Sequence, residues 1–340
     1  MATVGEYALT FNDLKKRQNP DGTIADIIDI ITRSDPIMEH IRWAQGNLPT
    51  GNQTTQRTSV PQAELRRINR GVGNVKSTTR QITDTCAMLE AHSQIDVELL
   101  GLQPDPMAFR TSEDMAIVEG MTQQVADMIF YGDSDVNPDE FNGLAARYNA
   151  FGGEKNDYSW QVVNAGGTTA NKQASAWLVG FGDRAVMGIY PKYGFAGLKQ
   201  QDMGEDWCTD ETGKKFRGVT TLFNWKAGLA VRDPRMVAAV RNIDMETLKL
   251  ESVTAEQKKA LIDKMVIAQH KIRSFAGADV AWYVPTDVMT LINLYYMDKD
   301  NVYITRKDNM TGMPEYYVNG IRVLEEQALT TTEAVVQEAE

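Results

Sequence analysis

Residues 45–82 read QGNLPTGNQTTQRTSVPQAELRRINRGVGNVKSTTRQI, and this stretch decides how the rest of the chain is read. It carries six bases (Arg57, Arg66, Arg67, Arg70, Lys76 and Arg80) against one acid, Glu64, a net charge of +5 in a chain whose total is −11. Eight of its 38 residues are apolar, 21% against 42% for the whole chain. Six threonines and spaced β-branched residues still favour extended strands over disorder. Gly71-Val72-Gly73-Asn74 offers a reversal near the middle. The expectation is a long two-stranded arm from Gln45 to Ile82, which is marginal in water unless a second surface covers it.

Three surfaces are conceivable for such an arm. Contact with single-stranded nucleic acid is disfavoured because the segment has no aromatic side chain on which a base could stack. A freely solvated hairpin would leave its few apolar side chains unused. An acidic neighbouring subunit fits best, because the rest of the chain carries −16.

The composition excludes several classes. At 340 residues the chain can hold one large domain or two modest ones. Its mean hydropathy is −0.37, and no run approaches the ~20 apolar residues of a membrane helix. Met1 to Glu6 has neither the basic start nor the apolar core of a secretory signal. Cys86 and Cys208 are too few to staple a fold of this size, which fits a reducing compartment. A pI near 4.9 argues against broad binding to nucleic acid.

Periodicity places the elements. Ile24, Ile27, Ile28 and Ile31 have helical spacing. The clearest helix is expected over 111–131, opened by a capping box at Thr111 and Asp114 and closed by Gly132. Met115, Val118, Met121, Val125, Met128 and Ile129 form its apolar stripe. Strand signals follow at Trp177 to Val179, Val186 to Tyr190 and Gly218 to Val231. A second capped helix starts at Thr254 with Gln257 completing the box. A strand at Ala281 to Val284, a helix after Thr286 and a strand at Val302 to Thr305 come next. Asn319-Gly320 suits a two-residue hairpin turn. After Arg322 come five glutamates and no base, so the tail is expected to be exposed. The fold class is α+β or mixed α/β rather than a regular alternation.

No constellation in the sequence carries chemistry. His40, His92 and His270 have no metal-ligand spacing, and Cys86 near His92 in sequence is not a nucleophile–base pair without further support. Asp133 to Asp139 imitates a calcium loop, but Pro138 stands where that loop needs glycine and Leu144 where it needs a bidentate glutamate. An Asx-rich turn is the better reading. Gly180-Phe181-Gly182-Asp183 lacks the third glycine of a phosphate-binding turn. The pair Glu325-Glu326 is read as solvated rather than catalytic. No catalytic, metal or cofactor site is expected.

Six segments nevertheless form a pattern: Gly46-Asn47-Leu48-Pro49-Thr50-Gly51, Lys76-Ser77-Thr78-Thr79, Asp84 to Glu90, Phe130-Tyr131-Gly132-Asp133, Asn142 to Tyr148 and Trp225 to Asp233. In order and composition they resemble the major capsid proteins of short-tailed bacteriophages and their relatives, built on the Hong Kong 97-like shell fold. The resemblance runs from about residue 10 to residue 330. It implies an N-terminal arm (1–44), an extended loop (45–84), a peripheral domain (85–170) with a spine helix over 111–131, an axial domain with the remaining peripheral sheet (171–330), and an acidic tail (331–340).

The function implied is non-enzymatic: self-assembly as hexamers and pentamers into an icosahedral shell around double-stranded DNA, without sequence-specific binding. The implied partners are further copies of the chain, a scaffolding protein, a portal at one vertex and a cementing protein, with no membrane. The place implied is the virion, assembled in the bacterial host cytoplasm. Arg57, Arg66, Arg67, Arg70, Lys76 and Arg80 are the candidate inter-subunit contacts. Some members of the wider fold form lysine–asparagine cross-links; Lys76, the arm's one lysine, has no local pattern for this, and noncovalent closure is expected. Two alternatives stay open here: a protein nanocompartment of the same fold, and a soluble hydrolase built on paired carboxylates.

Overall fold

The computed structural model describes residues 33–155, 157–209, 213–248, 253–272, 277–297, 304–308 and 314–339, so the helix expected around Ile24 to Ile31 lies outside the described residues. From the first described residues the chain forms α1 (Pro36–His40), β1 (Trp43–Gln45), β2 (Gly51–Arg57) and the long β3 (Thr79–Asp96). A short α2 (Val97–Gly101) leads to α3 (Pro106–Tyr131), then α4 (Leu144–Arg147), β4 (Ala150–Phe151) and β5 (Val162–Asn164). Strands β6 (Gln173–Phe181), β7 (Val186–Tyr190), β8 (Leu198–Thr209), β9 (Lys215–Val231) and β10 (Val237–Asp244) follow. The chain closes with α5 (Ala255–Gln269), β11 (Asp279–Val284), α6 (Thr286–Tyr296), β12 (Ile304–Asp308), β13 (Pro314–Val318), β14 (Ile321–Glu325) and β15 (Gln337–Glu338).

These elements divide into two units. The larger comprises Ser34–Ala87, Ala126–Gly194 and Gly228–Glu340. Its centre is β6, all nine residues of which are buried. Antiparallel partners flank it on both sides, β11 (Trp282↔Leu178) and β10 (Ala239↔Trp177). Alternation along β6 sends Ala174, Ala176 and Leu178 into a core with Leu261, Ile262 and Met265 of α5 and Val288, Leu291 and Ile292 of α6. On the other face Trp177 and Phe181 meet Tyr148 and Tyr283 edge-on, at centroid separations of 6.0 and 6.2 Å. Each buried Leu, Ile or Val contributes about 1.5–3 kcal/mol, so this two-faced strand anchors the unit.

The smaller unit contains, among the described residues, Arg33, Met88–Val125 and Phe195–Ala227. Ile95, Leu99, Leu100 and Phe109 form its core with Val219. The Arg110 guanidinium binds Asp202 through two parallel bonds of 2.7 and 2.9 Å and also reaches Thr221, fixing α3 to the β8–β9 hairpin. That hairpin carries a bulge between Asp202 and Gly204, where Gly204 takes φ +75°.

The capping box of α5 is present at Thr254 and Gln257, and Asn319-Gly320 forms the β13–β14 turn with both residues at positive φ (46° and 85°). Helix α3 differs from expectation at its start. It begins at Pro106 because Asp105 accepts from the amides of Met107 and Ala108, at 3.1 and 3.0 Å. Thr111 is an interior residue whose hydroxyl donates back to the Met107 carbonyl. The 26 residues span about 39 Å at 1.5 Å per residue. Gly132 follows without a left-handed turn; it is needed because a Cβ there would strike the Phe141 carbonyl.

Candidate assembly surface

The arm is strand-paired at its base only. β2 and β3 run antiparallel from Gly51↔Thr85 to Arg57↔Thr79, and one more backbone bond joins Thr58 to Thr78 at 2.9 Å. Between Val60 and Ser77 no ladder is formed among the described residues. The reversal lies at Arg67–Arg70, where Asn69 takes φ 64° and the Arg70 amide donates to the Arg67 carbonyl. The expected turn at Gly71 to Asn74 is not used. Asparagine can adopt the left-handed conformation, and its position one residue before Arg70 decides the turn.

All six candidate cations are exposed. Arg57 ends β2, Arg80 lies in β3 and donates to the Gln56 side chain, and Arg66, Arg67 and Arg70 surround the turn. Lys76 sits on the returning limb. Among the described residues no carboxylate lies within ion-pair distance of any of the six. The apolar residues beside them are equally bare: Val60 is 79% exposed, Ile68 92% and Leu65 100%. Ordinary scattered exposure rarely takes this form, three large aliphatics standing fully off the body of a subunit.

The root of the arm is built differently. Asp84 of β3 is buried, and Nη1 of Arg147 from α4 stands 2.7 Å from its Oδ1. Burial raises the Asp84 pKa, and the guanidinium partly offsets that rise. Arg147 spends its other donors on the carbonyls of Asn142 (3.0 Å) and Leu229 (3.1 Å). The Cys86 amide donates to the Thr50 carbonyl, while Gly228 lies so close to Thr85 that a Cβ would collide with its backbone. Four of the sequence segments that carried the family pattern therefore meet at one point, around Arg147. Sequence reading had no way to pair Asp84 with Arg147, which are 63 positions apart.

The tail corrects two expectations. Glu326 is 0% exposed, not solvated, and its Oε2 accepts from the Ile37 amide at 3.0 Å. Burial and the Asp35 side chain hydrogen-bonded to it push its pKa up to about 9. Glu333 is buried as well. It pairs with Arg241 of β10 at 2.9 Å, accepts from Tyr131 at 2.7 Å, and accepts from the Ser175 hydroxyl. The Arg241 guanidinium lies 5.5 Å from the Trp177 ring centroid. Val336 exchanges two hydrogen bonds with the Asn242 side chain, and β15 pairs with β4. Residues 331–339 are thus sewn into the larger unit by cations and amides contributed from distant elements.

The remaining candidates for chemistry resolve locally. Asp133 Oδ1 accepts from the Asp135 amide in an Asx turn, and Ser134 bonds Asn142. Burial and the Asp84 charge push the Cys86 thiol up to about 11, so it stays protonated. His92 is exposed beside Glu90 at 3.2 Å. Among the described residues no three His, Cys, Asp or Glu are placed to hold a metal, and no helix is long and apolar enough to cross a membrane.

Comparison with known proteins gives this geometry its context. The family model "Major capsid protein GP7" matches residues 19–337. Among solved structures, the bacteriophage Epsilon15 structure superposes with TM-score 0.74 at 25% identity, covering 100% of both chains. The bacteriophage JBD30 capsid superposes with TM-score 0.54 at 10% identity, covering 94% of this chain and 99% of that one. The SrpI encapsulin of Synechococcus elongatus reaches only 0.40 at 13% identity, covering 69% and 97%, too slight a likeness to argue from. No curated protein matches the sequence. The chain belongs to the Major capsid protein GP7 family, with an α+β fold of the Hong Kong 97-like kind. It is a shell-forming capsid protein of a tailed phage, structural rather than enzymatic.

Proposed function

We propose that the chain assembles as hexamers and pentamers into an icosahedral shell around double-stranded DNA, and that residues 58–78 of each copy lie across the adjacent subunit. The observation that carries this reading is the bare tip, where Leu65 and Ile68 stand exposed between Arg66, Arg67 and Arg70. Covering them on a neighbour would remove apolar surface from water, and the cations would find carboxylates on a chain that is otherwise acidic. Many such modest contacts, repeated by closed symmetry, make a stable container.

In this reading residues 1–44 are the N-terminal arm, 45–84 the extended loop, 85–170 a peripheral domain, and 171–330 an axial domain with the remaining peripheral sheet. The acidic subunit suits an inner wall along which DNA slides without sticking. A scaffolding protein would guide curvature, a portal would occupy one vertex, and closure would be noncovalent, with a separate cementing protein, in the host cytoplasm. The double substitution Arg66→Glu with Arg67→Glu tests the arm's role. It should leave the subunit soluble and folded while blocking or misdirecting shells under the electron microscope. Normal particles from that variant would contradict an electrostatic role for the arm.

A further inference from the structure

Arg33, the first described residue, is fastened to α3 within the smaller unit. Its amide donates to Oε1 of Glu119 at 3.4 Å, and its Nη2 donates to the Gln123 carbonyl at 2.9 Å. One turn before Glu119 the helix is bare. Met107 is 70% exposed and Met115 67%, with Thr111 exposed between them. Steps of four put these three residues on one line along α3, about 12 Å long. Arg110 and Asp114 are turned away from that line, Arg110 to Asp202 and the buried Asp114 to Gln200. Beyond Gln123 the helix is already covered, since Val125, Ala126, Ile129 and Phe130 are all buried.

We propose that the methionine face of α3 is the seat of residues 24–31 of the same chain. Ile24, Ile27, Ile28 and Ile31 have the spacing of one helical stripe, and a helix that short is marginal in water without an apolar surface to lie on. The anchor at Arg33 sets its reach. Ile24 is nine residues before Arg33, about 14 Å back at 1.5 Å per helical residue. Thr111 stands about 12 Å back from Glu119 along α3 by the same rise. The isoleucines thus match the stretch from Glu119 to Thr111, with Met115 in its middle, and the residues before Ile24 pass Met107. The direction fits as well. The Arg33 amide, which joins it to residue 32, is held at Glu119, while the side chain extends on to Gln123.

The two faces suit each other chemically. Unbranched methionines adapt to the rigid, branched isoleucines, and Asp26 and Asp29 fall on the opposite side of the stripe, where they stay in water. A segment tethered this close to its seat also has the advantage of effective concentration over any segment of a second copy. The seat belongs to the single subunit and stands whether or not residues 58–78 lie on a neighbour.

Methionine oxidation of the full-length, unassembled subunit by dilute hydrogen peroxide, read residue by residue by mass spectrometry, tests the proposal. Met88, 71% exposed, is the open reference, and Met265, 0% exposed, reports that the body stays folded. Met115 should oxidise about tenfold more slowly than Met88, at a rate that does not change on dilution of the protein. In Ile28→Asp, which puts a charge in the seat, Met115 should rise to the rate of Met88 while Met265 stays protected. If Met265 becomes reactive in that variant, the milder Ile28→Ser takes its place with the same expectation. Equal rates for Met115 and Met88 in the unmodified chain, or slow oxidation of Met115 that persists in the folded variant, would overturn the seat. Protection of Met115 that is lost on dilution would overturn it too, because a second copy would then be the occupant.

Discussion

Nη1 of Arg147 lies 2.7 Å from Oδ1 of Asp84, so the arm leaves the larger unit from a strand pinned by a buried ion pair. Such pairs add little over apolar packing when intact, but they are expensive to break on one side. Replacing Arg147 by methionine should cost about 3–5 kcal/mol in urea unfolding of the unassembled subunit, because Asp84 is left buried and unpaired. Adding Asp84→Asn to that variant should recover part of the loss. A double variant whose cost equals the sum of the Arg147→Met and Asp84→Asn costs measured singly would show that the two residues are not coupled.

Glu333 makes the corresponding prediction for the tail. An exposed glutamate could be changed to glutamine within about 0.5 kcal/mol. Here Glu333→Gln leaves the buried Arg241 guanidinium without its counter-charge, so the expected loss is about 3–5 kcal/mol, again by urea unfolding.

The start of α3 is tested by two alanines. Asp105→Ala should cost about 1 kcal/mol, since it removes the acceptor for two helix amides. Thr111→Ala, at an exposed interior position, should be neutral or slightly stabilising. The reverse order would place the cap at Thr111.

These three cases show what could be read from the residues alone and what could not. Local signals worked where the partner is local. Thr254 with Gln257 caps α5, Asn319-Gly320 turns a hairpin, and Met121, Val125 and Ile129 bury one stripe of α3. Met115, in the same stripe, is 67% exposed, because periodicity gives a face but not what covers it. β8 is mostly polar and exposed, and its pairing with β9 makes it a strand. Glu326 and Glu333 look solvated because the groups that bury them come from residues 35–37 and from Arg241, hundreds or scores of positions away. The arm was legible as a segment needing cover, but its root was not, since Asp84, Arg147 and Leu229 meet only in three dimensions.

Cys86 gives a chemical check on the same root. With its thiol near 11, only about a thousandth is thiolate at pH 8. A thiol-reactive dye should label it slowly in the native subunit and rapidly after denaturation. Fast native labelling would mean that the packing of β3 on Gly228 is looser than described.

The most direct measurement is an icosahedral reconstruction of the assembled particle at side-chain detail. The account predicts residues 60–77 on an adjacent subunit, with Leu65 and Ile68 buried there and Arg66 and Arg67 within ion-pair distance of that subunit's carboxylates. A closed shell in which those residues fold back on their own subunit, or remain in solvent, would contradict it.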